Sequence, residues 1–199
     1  GGRRRSAVRW ERHAHSSKTC WHGMRTPKFW TRKDGVSRAI SDALLPVGWI
    51  YGKITVLRAK QHWKYRARSR VICVGNLTVG GTGKTPVAIA IAELLAQRNI
   101  QPFFLSRGYG GKERGPLVVD VKTHTAKDVG DEPLLLANAG PTIMSRDRPA
   151  GAELADRNGA EVIVMDDGHQ NPTLRKHISF VVVDAQAGFG NRRILPAGP

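Results

Sequence analysis

The stretch VICVGNLTVGGTGKTP, Val71 to Pro86, decides how the rest of the chain is read. An apolar, β-branched run stops at a cluster of glycines, a lysine and a threonine follow, and an alanine-rich apolar pattern begins at once. Strand, glycine loop and helix together frame a phosphate-binding loop. In GxxxxGK[ST] the backbone N–H groups cradle phosphates, the lysine neutralises β/γ charge, and the hydroxyl residue ligates Mg2+. Gly83, Lys84 and Thr85 close that pattern here, and Thr78, Val79, Gly80, Gly81 and Thr82 lead into it. Thr78 stands where the general pattern has its first glycine. Gly80, Gly81 and Gly83 still let the loop take positive φ and approach a phosphate closely.

Downstream, apolar runs alternate with helical patterns. Strands are expected at 71–76, 101–106, 116–122, in the PTIMS run from Pro141, at 161–167 and at 178–185; helices are expected at 84–98, 131–140 and 148–159. Runs apolar on both faces, separated by helices, predict an α/β fold: a mostly parallel, doubly wound sheet of P-loop NTPase type flanked by helices. A phosphate loop also needs an acidic partner for its metal at the end of a neighbouring strand. EVIVMDDG supplies Asp166, which follows four apolar residues, with Asp167 in support.

Two further clusters fall at ends of strands or starts of helices, where ligands of open α/β sheets gather. SRGYGG (106–111) brings Arg107 among glycines, and GDEP (130–133) places Asp131 and Glu132 at a helix start. Helix capping explains either carboxylate. Asp131 is also the candidate base for a proton leaving an attacking hydroxyl.

Upstream of Arg70 the chemistry changes. Residues 36–61 carry Ile40, Ala43, Leu44, Val47, Ile50, Tyr51, Ile54 and Leu57 at helical spacing, with Pro46 and Gly48 placed to kink or split the helix. Lys28, Arg32, Lys33, Arg38, Lys53, Arg58, Lys60, Lys64, Arg66, Arg68 and Arg70 surround it, with Trp30, Trp49 and Trp63 interleaved. Composition leaves two readings open: a helix lying in the headgroup region of an anionic membrane, or an ordinary amphipathic helix with a solvated basic face. No run of eighteen apolar residues is present.

The organisation expected is three-part: a basic, disordered or non-native extension at 1–23, with Met24 the natural start; a basic amphipathic, membrane-associating segment at 24–69; and a P-loop core at 70–199. The net charge of +16 predicts an anionic partner, and 40% hydrophobic content excludes wholesale disorder. Cys20 and Cys73 form neither a disulfide framework nor a CxxC pair.

Taken in order, GNLTVGGTGKTP, SRGYGG, GDEP, MDDGHQN and FGNRRILPAGP resemble the tetraacyldisaccharide 4′-kinase family, the lipid A 4′-kinases of Gram-negative bacteria. PKFW and LLPVGWIYGKIT resemble that family's membrane-associated start, so the likeness runs from about Met24 to Pro199. A hydroxyl residue at the position of Thr78 is the family's own pattern. The resemblance implies transfer of the ATP γ-phosphate, with Mg2+, to the 4′-hydroxyl of tetraacyldisaccharide 1-phosphate, the lipid A precursor. It implies a peripheral location on the cytoplasmic face of the inner membrane, with that anionic surface as a partner. Lys84 and Thr85 would serve phosphate and metal, Asp166 and Asp167 the metal, and Asp131 the acceptor hydroxyl. Arg107, Arg148 and Gln170 match family positions near the phosphates or the substrate. Asn171 replaces a histidine common in the family, so it can hydrogen-bond but supplies no imidazole. The family also continues past LPAGP into a further lobe.

A nucleic-acid-dependent P-loop ATPase is the alternative, supported by the charge. No reader module or aromatic platform accompanies it and much of the excess charge precedes Arg70, so no nucleic-acid partner is expected. A regulatory GTPase or metallochaperone lacks its NKxD sequence or Cys/His cluster here.

Overall fold

The computed structural model describes residues 27, 30, 34–59, 65–76, 83–185, 188–189, 191, 193–194 and 196–198. The extension at 1–23, residues 60–64 and the loop positions Thr78, Val79, Gly80, Gly81 and Thr82 lie outside the described residues.

Six strands form one sheet: β1 (Arg70–Gly75), β2 (Pro102–Ser106), β3 (Leu117–Val118), β4 (Thr142–Met144), β5 (Val162–Asp166) and β6 (Ile178–Val181). Their spatial order is β3-β4-β2-β5-β1-β6, and every pairing is parallel except β3 with β4. The helices are α1 (Gly35–Ala43), α2 (Leu45–Ala59), α3 (Lys84–Ala96), α4 (Ala126–Val129), α5 (Asp131–Ala139) and α6 (Arg148–Arg157).

Alternate residues of each central strand serve opposite faces. Val71 and Cys73 of β1, Phe103 and Leu105 of β2, and Ile163 and Met165 of β5 pack with Ala152 and Ala155 of α6 on one face. Val74, Phe104, Val162 and Val164 meet Ala88 and Ala92 of α3 and Leu136 of α5 on the other. Burial on both faces is why these segments read as unbroken apolar runs. The expected strand at 116–122 shrinks to two residues because Asp120 starts a turn: its carbonyl accepts from Thr123 N and His124 N, and its carboxylate from Lys122 N. On the far side of the sheet β6 pairs only with β1 among the described strands, and all four of its residues are exposed.

The helical pattern before Arg70 breaks at Leu44, and its two halves bend by 51°. Pro46 then lies in the first turn of α2, where its missing N–H is harmless. No single described helix is long and apolar enough to cross a membrane; α1 and α2 together pass that test only as a bent pair. Their polarity is inverted. Ser37 and Ser41 are buried, while Val36, Trp49 and Leu57 stand 73%, 62% and 66% exposed. Lys53 Nζ sits 3.7 Å from the centre of the Trp49 ring.

Candidate active site

Because β1 and β5 are adjacent and parallel, the loop leaving β1 and the acidic end of β5 open at the same edge of the sheet. Gly83 takes a left-handed φ of 77° immediately before α3, and among the described residues no side chain caps that helix, so its first N–H groups are left for another partner. Thr85 Oγ1 donates to Asp166 Oδ2 at 3.0 Å. Lys84 Nζ donates to Asp167 Oδ1 at 3.0 Å and to Asn76 Oδ1 at 3.1 Å. The lysine and the hydroxyl of the loop are thus each matched to one carboxylate of the Asp-Asp pair.

The two aspartates differ in setting. Asp166 is 1% exposed, and its second oxygen, Oδ1, is buried without a hydrogen bond among the described residues. Burial raises its carboxyl above the ordinary carboxylate range; the Thr85 hydroxyl works against that and the Asp167 charge adds to it. Asp167 is exposed and adopts a φ of 52°, a left-handed conformation that aspartate tolerates better than most residues, with its N–H bonded to Val74 O. That turn swings the Asp167 side chain toward Lys84.

Arg148 lies beneath this edge. The structure places it 2% exposed, with Nη1 on Leu105 O at 3.2 Å and Nη2 on Asp166 O at 3.0 Å and Asp167 O at 3.3 Å. The guanidinium therefore ties the ends of β2 and β5 together through backbone carbonyls. In this structure the described hydrogen bonds of that guanidinium all go to backbone carbonyls. Burial pushes its pKa down to about 10, while Asp167 and Asp166 support the charge and Arg107 opposes it. Arg107 is exposed just beyond β2, so it sits within electrostatic reach of the cluster and open to solvent.

On the opposite side, α5 brings Glu132, a carboxylate for which the sequence offered only helix capping. Burial raises the pKa of Glu132, then the charges of Asp166 and Asp167 raise it further, with Lys84 and Arg148 in partial opposition. Asp131, one residue earlier, is exposed on the same first turn. The signal was available one turn along: Glu132 precedes the fully buried Leu136 by four residues, whereas Asp131 precedes the half-exposed Leu135.

Beyond Asp167, Gln170 is exposed. Asn171 turns its side-chain oxygen to Thr173 N at 2.9 Å and Thr173 Oγ1 at 2.7 Å, which closes the loop on itself. His169 packs against Gly75, and Lys176 Nζ donates to its carbonyl at 2.8 Å. A side chain on Gly75 would strike the His169 Cβ.

A left-handed glycine before a helix with no described side-chain cap, a lysine and hydroxyl at its start, and a buried carboxylate on the adjoining parallel strand define a phosphate-loop nucleotide-binding protein. Residues 40–199 match the family model described as Tetraacyldisaccharide-1-P 4'-kinase, and the chain belongs to that family. It is 52% identical over 176 residues to the tetraacyldisaccharide 4'-kinase of Rhodospirillum rubrum, covering 88% of this chain and 52% of that protein. The protein of that name from Dinoroseobacter shibae matches with the same identity and the same coverage of both chains, 88% and 52%. The fold is similar to the crystal structure of LpxK from Aquifex aeolicus, described as an "apo" form in complex with ATP. That match has a TM-score of 0.67 and 31% identity, over 80% of this chain and 53% of the other. The chain spans about half the length of the relatives it matches.

Proposed function

We propose that this chain carries the nucleotide site of an ATP-dependent kinase that phosphorylates the 4′-hydroxyl of tetraacyldisaccharide 1-phosphate, a step in making lipid A. The observation that carries the reading is the Thr85–Asp166 contact at 3.0 Å, with Asp166 Oδ1 buried and without a hydrogen bond among the described residues. A buried carboxylate oxygen without a donor is costly unless a cation completes it. The donor set suits Mg2+, which takes one or two protein oxygens and fills its remaining positions from phosphates and water. Thr85 and Asp166 would hold that ion, with the Glu132 carboxylate of α5 within electrostatic reach of Asp166. When bound, Mg2+ neutralises charge on the β- and γ-phosphates.

The chain's own residues do the rest. The N–H groups at the start of α3 and Lys84 receive the phosphates, so Lys84 exchanges Asp167 and Asn76 for phosphate oxygens. Arg148 keeps the Asp166–Asp167 backbone in place beneath. The acceptor 4′-oxygen forms its bond to the γ-phosphorus, the bond to the β,γ-bridging oxygen breaks, the hydroxyl proton passes to Asp131, and ADP leaves. Asp131, exposed at the rim, is the carboxylate an incoming hydroxyl can reach. Arg107 and Gln170, also at the rim, are offered for the anionic acceptor.

The inverted polarity of α1 and α2 supports a peripheral position on the cytoplasmic face of the inner membrane. Apolar side chains exposed over two helices, with Lys53 stacked on Trp49, fit the headgroup region. Basic residues flanking the pair would each add ~1 kcal/mol near an anionic surface.

The test uses the full-length protein with labelled ATP, Mg2+ and micellar tetraacyldisaccharide 1-phosphate. Label appears on the lipid, and Lys84→Ala lowers its rate roughly 10²- to 10³-fold. Asp131→Ala abolishes transfer while ATP affinity is kept. ATP hydrolysis without lipid label, stimulated instead by nucleic acid, would overturn the assignment.

A further inference from the structure

The last described stretch folds into a tight turn built on Asn191. Its Oδ1 accepts from Arg193 N at 3.2 Å, and its Nδ2 donates to Ala197 O at 2.8 Å. Ala197 N and Gly198 N both donate to Ile194 O. A Cβ at Gly198 would collide with Asn191 Oδ1 and the Arg193 carbonyl, so the turn closes only around glycine.

This turn meets the helix pair. The second Nδ2 hydrogen of Asn191 goes to Ser41 Oγ at 3.2 Å, and Arg193 Nη2 pairs with Asp42 Oδ1 at 2.6 Å. Trp30 Nε1 donates to Pro196 O at 3.0 Å, and Ile194 lies over Gly52, one turn past the buried Gly48. The inward face of α1 and α2 is therefore made of serine and glycine, with the apolar side chains turned outward. Among the described residues little hydrophobic burial fixes the pair against the rest of the chain, whereas directed polar contacts fix an angle. An ion pair whose aspartate is 57% exposed contributes little to stability, so its value lies in geometry.

Connectivity gives that geometry a purpose. β6 leaves the sheet at the edge where Lys84, Thr85 and Asp166 gather, and the segment that follows it carries the Asn191 turn. We propose that Asn191 and Arg193 are positioning residues for phosphate transfer. Acting through Ser41 and Asp42, they set the angle and depth at which the helix pair presents the phosphate site to an acceptor held in a lipid surface. This rests on the membrane and kinase readings above.

The experiment uses the full-length protein, its Asp42→Arg and Arg193→Asp variants, and the double exchange. Acceptor is supplied either in vesicles of phosphatidylethanolamine and phosphatidylglycerol or in small detergent micelles, whose curvature and mobility relax the angle. Each single variant sediments with vesicles, melts and binds ATP as the wild type does. Each loses about tenfold in kcat/KM on the vesicle acceptor and much less on micelles, as a misplacement of the site requires. The double exchange restores most of the vesicle rate, because the charges again attract. Single variants that match the wild type on vesicles, fall equally on both acceptors, or are not rescued by the exchange overturn the proposal. A wild type that fails to sediment with vesicles removes the membrane reading and this proposal with it. A wild type that transfers to neither acceptor removes the kinase reading itself.

Discussion

The site edge of the sheet and the α1–α2 pair bury opposite chemistry. At the sheet edge, charge is buried: Arg148 and Asp166 are almost inaccessible, and each is answered by a named carbonyl or hydroxyl. In the helix pair it is apolar surface that is left out, with Ser37 and Ser41 turned inward. A buried charge persists only where partners or a ligand offset its desolvation, and an exposed apolar helix only where another phase covers it. Departures from the usual polarity in both directions thus mark the two surfaces on which this chain is expected to act.

The same substitution made in each region tests that contrast most strongly. Ile163, fully buried in β5, becomes a cavity and an unpartnered hydroxyl as Ile163→Ser, at a cost of about 4 kcal/mol in urea or thermal unfolding. Next in size is Arg148→Met, which removes the guanidinium's hydrogen bonds to Leu105 O, Asp166 O and Asp167 O and costs roughly 3 kcal/mol. Arg148→Lys recovers only part of this, since one ammonium cannot span carbonyls from two strands as the planar fork does. Full stability in either variant would show that the strut is incidental.

A smaller effect concerns the hydrogen bonds of β1. His177 Nδ1 accepts from Val71 N at 2.9 Å, and burial, then Arg175, Arg70 and Arg66, hold its pKa below the usual histidine value. A histidine whose folded pKa is depressed contributes stability above its unfolded pKa and loses it as pH falls through the folded one. The urea midpoint of the wild type therefore drops as pH is lowered from about 6.5, and His177→Gln removes that component of the slope. Equal slopes would sink this account. The smallest change is expected for Ile50→Ser on α2, 54% exposed: within about 0.5 kcal/mol in solution, yet with weaker sedimentation on anionic vesicles. A loss of stability as large as at Ile163 would mean that α2 packs on protein instead.

The parallel sheet was legible in the sequence because strands covered on both faces leave unbroken apolar runs, as in VICV and VIVM. The pairing of the GKT loop with Asp166 followed from the same logic, since adjacent parallel strands end at one edge. What was not legible depends on direction. Asp131 and Glu132 are neighbours in the chain but point about 100° apart on a helix, and only the packing of Leu136 shows which one turns inward. Nothing in SRDRP tells which way Arg148 points; the first turn of α6 aims it back under β2 and β5. The strand expected at 116–122 is only Leu117–Val118, because the turn that Asp120 forms depends on hydrogen bonds to residues that follow it.

β6 carries a practical consequence. Its outer edge offers a row of backbone donors and acceptors with no described neighbour, and Ile178 and Phe180 stand 51% and 44% exposed along it. Such an edge is a template for another strand. Purified at high concentration, this stretch of chain will tend to self-associate through β6, and a lysine at position 178 or 180 is the change most suited to keeping it in solution.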